Sequence, residues 1–551
     1  MDIQHQLHMS YNPDHPWPAA PTLRMELHYQ ERIVRCYKDR PESVDELLRQ
    51  AAADAPGSEA VVDGQRRYTY MELDTAADAI ALGLRARGIE PGQRVALLLS
   101  NRLEFVECLF GIIRMGAIAV PLNVREQRFE LQSILRHAEA RVLIHEAELR
   151  DRLPSIEEVP SLVHRIAVGG PSPGSEPLES LCVLNGKPAA PLREDDTAVI
   201  VYTSGTTGRP KGVMLTHVSI ITSAMNYELC WGLNGRDRTI MAVPANNVTG
   251  LVAVLFTMVR ACGATIMLRD FKAARFLELA ASERMTYAIL VPTMYNLFLL
   301  QTDFADYDLS HWRVGAYGGA LMPVQTIERL ATRLPHVQLL NVYGSTETTG
   351  PATVSPLNTG RLRPDTVGHP VPSAQIVVVD DRGVEVPNGK SGEVLIAGAN
   401  VAAGYWKDVE ATRSAFVGGY WRSGDVGSLT LDGYLKILDR TKDQINRGGY
   451  KVYSAEVEEV LMSHPAVIEA AVIPTSDFVL GEKTHAVVHV GGGSVSAVEL
   501  KSFCAERLSD YKVPDFVTLV HQPLPRSDNG KILKRRIADW IRSVAPSGES
   551  P

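Results

Sequence analysis

The sequence lacks a large excess of charge of either sign, because its 551 residues carry a formal net charge of −8 at pH 7. Binding of nucleic acid or of an anionic membrane across a whole protein surface requires a strong positive field. The sequence therefore excludes a general binder of nucleic acid or membrane surfaces. One local basic stretch, 531–536, is still available to contact an anionic cofactor.

Cysteine is also scarce, with six residues and no Cys-x-x-Cys pair. Scattered thiols argue against a disulfide framework and against a metal site built from paired cysteines. Their mostly apolar neighbours predict buried thiols in a reducing compartment. The six residues are Cys36, Cys108, Cys182, Cys230, Cys262 and Cys504.

Two further features are missing, a secretion signal and a run long enough to span a membrane. The start of the chain, Met1-Asp-Ile-Gln-His5, has neither a basic segment nor an apolar core. The longest apolar run, 248–259, is too short to cross a bilayer. We therefore expect a cytoplasmic protein, and its length predicts two or more domains.

The usual nucleotide-binding loop is absent. Its pattern is Gly, any four residues and then Gly-Lys-Ser/Thr, but the residue that follows Gly205 after four others is Pro210. A different loop, Tyr202-Thr-Ser-Gly-Thr-Thr-Gly-Arg-Pro-Lys-Gly212, follows an apolar run at 197–201 that predicts a buried strand. Its glycines let the backbone approach a ligand, and successive amides with a lysine can enclose an anion. A helix is expected to follow, with Thr216 near its cap. The predicted phosphate-binding residues are Thr203, Ser204, Gly205, Thr206, Thr207, Gly208 and Lys211.

This loop resembles the signature of the adenylate-forming superfamily, which comprises acyl-CoA synthetases, adenylation domains of peptide synthetases and firefly-type luciferases. The resemblance implies two half-reactions. A carboxylate attacks the α-phosphate of ATP to give an acyl-adenylate and pyrophosphate, and a thiol then takes the acyl group. The sequence is most similar to acyl-CoA synthetases, which implies ATP, Mg²⁺ and coenzyme A as cofactors and a carboxylic acid as substrate.

Strands and helices alternate with short connections through the N-terminal part of the chain, which indicates a doubly wound α/β sheet. With the resemblance, this predicts a large N-terminal domain of doubly wound sheets plus a β-rich subdomain, and a small mobile α+β C-terminal domain. We expect a surface-bound or loosely ordered lead-in at 1–40, the large AMP-binding domain at 41–438, a hinge at 439–443 and the small domain at 444–551.

A second strong motif, Asn341-Val-Tyr-Gly-Ser-Thr-Glu-Thr348, follows an apolar strand. Tyr343 can stack on adenine, and Thr346 can donate to the α-phosphate. Glu347 offers a hard oxygen ligand for Mg²⁺. By resemblance, Gly344 lies at the nucleotide, and Ser345 is assigned to the acyl pocket.

A glycine pair, Gly318 and Gly319, is followed by Ala320 and matches the Gly-Gly-Ala-x-x-Pro pattern of the family. The absence of side chains would let the adenine ring lie against the backbone. Asp425, in a Ser-Gly-Asp sequence, can accept from both ribose hydroxyls. The resemblance adds Arg440 at the ribose.

Charge concentrates at 437–458, between two apolar regions, and this marks the boundary between the domains. The resemblance implies that Lys442 is the hinge and that Gly448 and Gly449 line the route of the CoA arm. It also implies that Lys531, in the stretch 524–531, is the mobile lysine that enters the site for adenylation. The predicted catalytic residues are Lys211, Thr346, Glu347 and Lys531.

The acyl pocket departs from the family pattern at two positions. Asn247 stands where the family has an aromatic or histidine ring, and Tyr317 replaces a residue that is usually small. An amide is smaller and carries donors and acceptors. We therefore expect a shortened, partly polar pocket for an aromatic or small-to-medium acid.

Two alternatives to an acyl-CoA synthetase remain open at this point. The absence of an Asp in the pocket segment 244–250 argues against an α-amino acid, and the absence of a carrier domain after Lys531 favours free CoA as acceptor. An acyl-AMP ligase that loads a separate carrier protein would share all motifs, and so would a luciferase-like oxygenase. The resemblance is also compatible with a homodimer.

Overall fold

The computed structural model describes residues 16–18, 21–183, 191–203, 210–320, 322–441, 443–448, 450–491, 495–526 and 531–544. The six cysteines are free, and four of them are buried; Cys182 is exposed and Cys262 is partly exposed. None of the helices in the described ranges combines the length and apolar character that crossing a bilayer requires.

The first sheet has seven strands, which are parallel except for one antiparallel pair at the edge. That pair carries the two ends of the predicted phosphate loop. The spatial order is Lys211–Thr216, Thr197–Thr203, Ile118–Pro121, Arg94–Leu98, Ala140–Glu146, His164–Val168 and Glu176–Pro177.

The second sheet has nine strands, with a parallel centre and antiparallel strands at both edges. One edge is a hairpin that the turn sequence Asp63-Gly64 between two β-rich runs predicts, and Gly64 turns it with a positive φ of 62°. The spatial order is His369–Pro370, Gly350–Val354, Gln338–Ser345, Val314–Gly318, Tyr287–Leu290, Arg238–Met241, Ala264–Met267, Glu59–Asp63 and Arg66–Thr69.

Helices cover both sheets, and the largest hydrophobic cluster joins the two sheets through the helices between them. Local signals fix the helix ends: Thr69 and Glu72, for example, form a reciprocal capping box. The doubly wound architecture predicted from the alternating pattern is confirmed. The helices in this central layer include Val44–Asp54, Tyr70–Ala86, Leu103–Arg114, His217–Trp231 and Thr257–Ala261, and a π-helical turn spans Thr249–Phe256.

Other helices cover the outer faces. Arg128–Ala138 packs on the first sheet, where its apolar residues join a separate cluster. The outer face of the second sheet is covered by three helices, which we call the outer helices: Ala273–Ser282, Pro292–Gln301 and Val324–Arg333.

The predicted β-rich part is an antiparallel sheet with its own hydrophobic cluster. A short helix, Val409–Ala415, precedes its edge strand. The strands are Ala374–Val379, Gly392–Gly398, Phe416–Val417, Tyr420–Leu429 and Leu435–Arg440.

The C-terminal part forms a separate α+β unit with its own sheet and hydrophobic cluster, as predicted. Its first strand starts five residues after the β-rich sheet ends. The strands are Ile445–Arg447, Tyr450–Val452, Val467–Asp477, Gly481–Val490 and Phe516–Val520, and the helices are Ser454–Met462, Ala497–Ala505 and Lys534–Val544.

One local prediction was wrong. The pattern at 454–464 predicts a helix capped by Ser454, but Ser454 lies inside the first turn, where both its amide and its hydroxyl donate to the buried carboxylate of Asp439. The lead-in was predicted to be surface-bound or loosely ordered, and within it Leu23–His28 and Arg32–Tyr37 pair as an antiparallel hairpin.

Candidate functional site

The two ends of the phosphate loop face each other across the edge of the first sheet. Thr203 pairs with Lys211, and both side chains are partly exposed. The strand Lys211–Thr216 follows the loop, and the predicted helix then begins at His217, with the Thr216 hydroxyl as its cap, as predicted. The predicted loop residues Ser204, Gly205, Thr206, Thr207 and Gly208 lie outside the described residues.

The Glu347 carboxylate lies at the end of this strand pair and is held by two hydroxyl groups. Ser345 Oγ donates to one oxygen at 2.6 Å, and Tyr405 donates to the other at 2.9 Å. The Nζ of Lys211 lies 4.8 Å from the centre of the Tyr405 ring, within the range of a cation–π contact. Tyr405 therefore links the predicted metal ligand to the predicted phosphate ligand.

The segment around Glu347 places its backbone and hydroxyl groups at the surface of the site. The strand Gln338–Ser345 runs further than predicted and ends directly before a single 3₁₀ turn at Thr346–Thr348. A Cβ on Gly344 would lie 1.8 Å from the carbonyl oxygen of Gly350, so only glycine fits there. Among the described residues, the partly exposed hydroxyl of Thr346 has no hydrogen-bond partner, which leaves it able to contact a ligand.

A second cluster forms around the carboxylate of Asp425, which is 7% exposed. Tyr343 donates to one of its oxygens at 2.6 Å, and Arg440 Nε lies 3.3 Å from the other. Burial raises the pKa of Asp425, although Arg440, Tyr343 and the nearby charge of Lys531 each lower it. Because Arg440 is half-exposed, water weakens its opposing effect.

The same burial raises the pKa of Tyr343 well above its usual range, and the Asp425 charge adds to this effect. Tyr343 is thus a neutral donor at physiological pH. The structure brings together four residues predicted from four separate stretches of the chain: Tyr343, Asp425, Arg440 and Lys531.

The glycine pair lies at the end of the neighbouring parallel strand. A Cβ on Gly318 would lie 2.5 Å from the Val342 carbonyl oxygen, and Gly319 has a positive φ of 79°. Backbone packing and conformation therefore require both glycines. Gly319 and Ala320 are exposed, and the adenine contact of all three residues stays a prediction.

Asn247 precedes the π-helical turn Thr249–Phe256 and closes its first turn. Its carbonyl accepts from Leu251 at 2.9 Å, and its side-chain oxygen accepts from the Gly250 amide at 3.0 Å. Within the described part of the chain, the side-chain NH₂ group of Asn247 has no hydrogen-bond partner. The amide thus has a structural role and still offers a donor.

Tyr317 lies deeper in the fold than its predicted role implies. It is 1% exposed and packs in the cluster between the second sheet and the outer helices. The preceding residue, Ala316, and the π-helical turn belong to the cluster on the opposite face. Strand alternation puts these side chains on opposite faces, so Tyr317 and the helix that follows Asn247 cannot form one wall together.

The predicted hinge region joins the last strand of the β-rich sheet to the C-terminal unit. Gly448 is exposed and adopts a positive φ of 59°, and its amide donates to Leu480 at 2.8 Å. Lys442 and Gly449 lie outside the described residues. The roles predicted for these three residues stay predictions.

Sequence reasoning missed Tyr405 and Asp439. Tyr405 follows Gly404 in a short Ala-Ala-Gly-Tyr-Trp run, and that local signal alone is too common to predict a site. Asp439 accepts from Ser454, and Ser454 accepts from Lys534 at 2.5 Å. Lys534 also pairs with Glu458 at 2.7 Å. This network ties the helix after Lys531 to Asp439, the first residue of the predicted hinge.

Comparison with known proteins assigns the family. The model of the AMP-binding enzyme family matches residues 48–406, and the model of the AMP-binding enzyme C-terminal domain matches residues 456–531. The long-chain-fatty-acid–CoA ligase FadD13 of Mycobacterium tuberculosis is 33% identical over 91% of this chain and 99% of its own length. The feruloyl-CoA synthase of an Amycolatopsis species is 34% identical over 88% of this chain and 96% of its own.

Solved structures agree with this assignment. The anthranilate CoA ligase AuaEII, in complex with anthranoyl-AMP, superimposes with a TM-score of 0.85 at 27% identity, covering 92% of this chain and 98% of that protein. The similarity extends over both the large and the small part of the fold. The chain therefore belongs to the AMP-binding enzyme family, as the resemblance of its motifs to those of adenylate-forming enzymes predicts.

Proposed function

We propose that this AMP-binding enzyme is an ATP-dependent carboxylic acid–CoA ligase. The observation that carries the proposal is the presence of two adjoining clusters with complementary chemistry. One, around Glu347 and Lys211, suits a phosphate chain with its cation. The other, around Asp425 and Arg440, suits a ribose diol. Lys531 lies beside the second cluster, where its charge acts on Asp425.

In the first half-reaction, a carboxylate oxygen of the acid forms a bond to the α-phosphorus, and the bond from that phosphorus to the pyrophosphate oxygen breaks. Catalysis then depends on positioning and on neutralising charge. Lys211 and Thr346 would bind the phosphates, and Lys531 would contact the attacking carboxylate and the α-phosphate. No protein nucleophile is needed.

The residues at Glu347 fit a magnesium ion that accompanies ATP. Mg²⁺ prefers one or two carboxylates together with phosphate oxygens and water. The partly exposed carboxylate of Glu347 has no cationic side chain within 4 Å among the described residues, and two hydroxyls orient it. Its charge is thus available to a cation, which would supply electrostatic stabilisation of the leaving pyrophosphate.

In the second half-reaction, the sulfur of CoA forms a bond to the acyl carbon, and AMP leaves. We propose that the segment 439–443 turns the small domain between the steps, with Lys442 as the hinge and Gly448 and Gly449 beside the CoA arm. The network of Asp439, Ser454 and Lys534 would keep the hinge fixed to the helix that follows it. The predicted cytoplasmic location and the homodimer stay predictions.

For the acid, we propose an aromatic or small-to-medium carboxylic acid. The unpartnered NH₂ donor of Asn247 supports a partly polar pocket. Two of the compared proteins are named for aromatic acids, feruloyl and anthranilate, whereas FadD13 is named for long-chain fatty acids. The names therefore do not decide the acid, and the donor of Asn247 is the argument for it.

Pyrophosphate release tests the proposal. The purified chain is incubated with ATP, Mg²⁺ and panels of aromatic, short-chain and long-chain acids, with and without CoA, and the products are identified by mass. We expect release with one aromatic or small-to-medium class and an acyl-CoA product only when CoA is present. Persistence of acyl-AMP in the presence of CoA would contradict free CoA as the acceptor.

A further inference from the structure

The N-terminal hairpin lies outside the residues matched by either family model, yet Arg32, which follows its turn, binds the segment that holds Glu347. The match begins at residue 48, and the hairpin spans 23–37. Tyr29 and Gln30, in its turn, adopt left-handed backbone angles with φ of 54° and 64°. Non-glycine residues adopt this conformation at an energetic cost, and it persists only where the surroundings impose it.

The surroundings that impose this turn are contacts with the body of the enzyme. The Tyr29 amide donates to Asp195 at 2.9 Å, and its hydroxyl is 2.8 Å from that of Thr216. Thr216 is the last residue of the strand that begins at Lys211. One side of the turn is therefore bound to the strand that carries the phosphate-loop lysine.

The other side of the turn carries Arg32, which is 4% exposed. Its two terminal nitrogens donate to the carbonyl oxygens of Ala402 and Ala403, at 2.7 and 2.9 Å. Within the described ranges, no carboxylate lies within ion-pairing distance of this guanidinium. A buried arginine without a carboxylate is rare, because its charge must be compensated by other groups.

The carbonyls that compensate the Arg32 charge belong to a segment that also binds Glu347. The Ala402 amide donates to the Glu347 backbone carbonyl at 2.9 Å. Three residues further on, the Tyr405 hydroxyl donates to the Glu347 carboxylate. Arg32 thus binds the carbonyl side of a segment whose amide and tyrosine both hold Glu347.

Arg32 is also connected to Tyr405 through contacts between aromatic rings. The Arg32 guanidinium lies 4.8 Å from the centre of the Phe416 ring, on which it stacks, and 5.0 Å from that of Tyr29. The Phe416 ring contacts the Tyr405 ring edge-on at 5.8 Å. Backbone and ring contacts therefore both connect Arg32 to Tyr405.

We infer that Arg32 is a positioning residue for the metal–triphosphate part of the active site, and that it acts through residues 402–405 on Tyr405 and Glu347. The N-terminal hairpin would then support the active site rather than only precede the folded domain. The inference rests on the proposed function, because it assumes that Glu347 and Lys211 serve a phosphate chain.

The test compares two arginine-to-lysine variants. Arg32→Lys keeps the charge but loses the planar fork that reaches two carbonyls. Arg40→Lys is the matched control, because Arg40 has a 4% exposed side chain and also ties this region to the body, through Glu26 and Glu194. Thermal unfolding confirms that each variant is folded.

The first readout is binding of MgATP by calorimetry, with no acid present and hence no turnover. Residues that orient a metal ligand typically contribute 10- to 100-fold to affinity, so we expect Arg32→Lys to weaken binding roughly 10-fold. We expect the MgATP affinity of Arg40→Lys to lie within about twofold of that of the unmodified enzyme, because changes away from a site usually act independently of it. Equal binding by Arg32→Lys and the unmodified enzyme, or equal loss in both variants, overturns the inference.

The second readout needs no nucleotide. Amide hydrogen exchange of the peptide containing residues 402–405 should be faster in Arg32→Lys than in Arg40→Lys, because the carbonyl contacts that fix it are reduced. Unchanged exchange in this peptide would also overturn the inference. Phe416→Leu, which removes the intervening ring and leaves the hairpin intact, should weaken MgATP binding roughly threefold, in line with the value of a cation–π contact.

The inference and the proposed function fail in different ways. If no acid gives pyrophosphate release with the unmodified enzyme, the proposed function is wrong, whatever the Arg32 variant does. If the unmodified enzyme is an active ligase and Arg32→Lys binds MgATP normally, only the inference about Arg32 is wrong.

Discussion

The hydroxyl of Tyr343 and the carboxylate of Asp425 form a 2.6 Å hydrogen bond between the second sheet and the β-rich sheet. It orients the carboxylate proposed to accept from ribose. We expect Tyr343→Phe to raise KM for ATP roughly 10-fold with little change in kcat, since a hydrogen bond to a charged group contributes about 1.5–3 kcal/mol. Steady-state kinetics with varied ATP measures both parameters.

A matched tyrosine serves as the control for this variant. Tyr70 is fully buried, and its hydroxyl donates to the backbone carbonyl of Gly263 at 2.6 Å, in the helical layer away from the site. Tyr70→Phe should lower the thermal midpoint and leave KM for ATP unchanged. An equal KM effect in both variants would mean that Tyr343 acts only on overall stability.

The pH dependence of ATP binding should report the raised pKa of Asp425. Only the ionised carboxylate accepts from both ribose hydroxyls, so ATP binding should weaken as the pH falls through this pKa. Arg440 lowers the pKa of Asp425, and Arg440→Gln should therefore move the acid limb of kcat/KM for ATP to higher pH. Arg440→Lys keeps the charge and should leave the limb near its original position; a shift to lower pH in Arg440→Gln contradicts the assignment.

Lys531→Ala should separate the two half-reactions. Removal of one preorganised donor from a charged transition state slows a reaction roughly 10²- to 10³-fold, so adenylation should fall by that factor. Thiol transfer from a preformed adenylate should be largely spared. Single-turnover measurements of each half test this, and Lys512→Ala, which breaks a pair with Glu456 in the same domain, is the control. If the rates of both half-reactions fell equally, the assignment of Lys531 to adenylation would be wrong.

Asn247 should show two separable effects. Asn247→Ala removes the oxygen that accepts from Gly250, and loss of such a contact at a helix start reduces the free energy of unfolding by about 1 kcal/mol. Asn247→Asp keeps that oxygen but places a negative charge beside the acid, so KM for the acid should rise roughly 10-fold at unchanged stability. If KM for the carboxylic acid were unchanged in Asn247→Asp, Asn247 would not line the acyl pocket.

Much of the fold and of the site could be predicted from local patterns. Apolar periodicity indicated the alternating strands and helices, and turn residues such as Gly64 indicated the hairpin at 59–69. The Asp425 cluster was also predictable: the residue types of Tyr343 and Asp425 match adenine and ribose contacts, and the family resemblance adds Arg440 and Lys531. That these residues meet in space is shown by the fold.

The remaining features depend on contacts between residues far apart in the chain. Arg32 and Ala402 are 370 positions apart, and nothing in the residues around either one signals the pairing. The misplaced helix cap at Ser454 has the same origin, since a buried carboxylate elsewhere took its hydroxyl. For Tyr317, in contrast, the alternation of side chains along its strand already indicated the face that it occupies.

The glycines of the site limit how the substrate range of this enzyme could be changed by engineering. Any side chain at position 344 or 318 would collide with a neighbouring carbonyl oxygen, at 1.8 Å and 2.5 Å respectively. Randomised libraries that include these positions would consist largely of misfolded variants. Diversity is better directed at Asn247, whose side chain is partly exposed, than at Ser345, whose hydroxyl holds the Glu347 carboxylate.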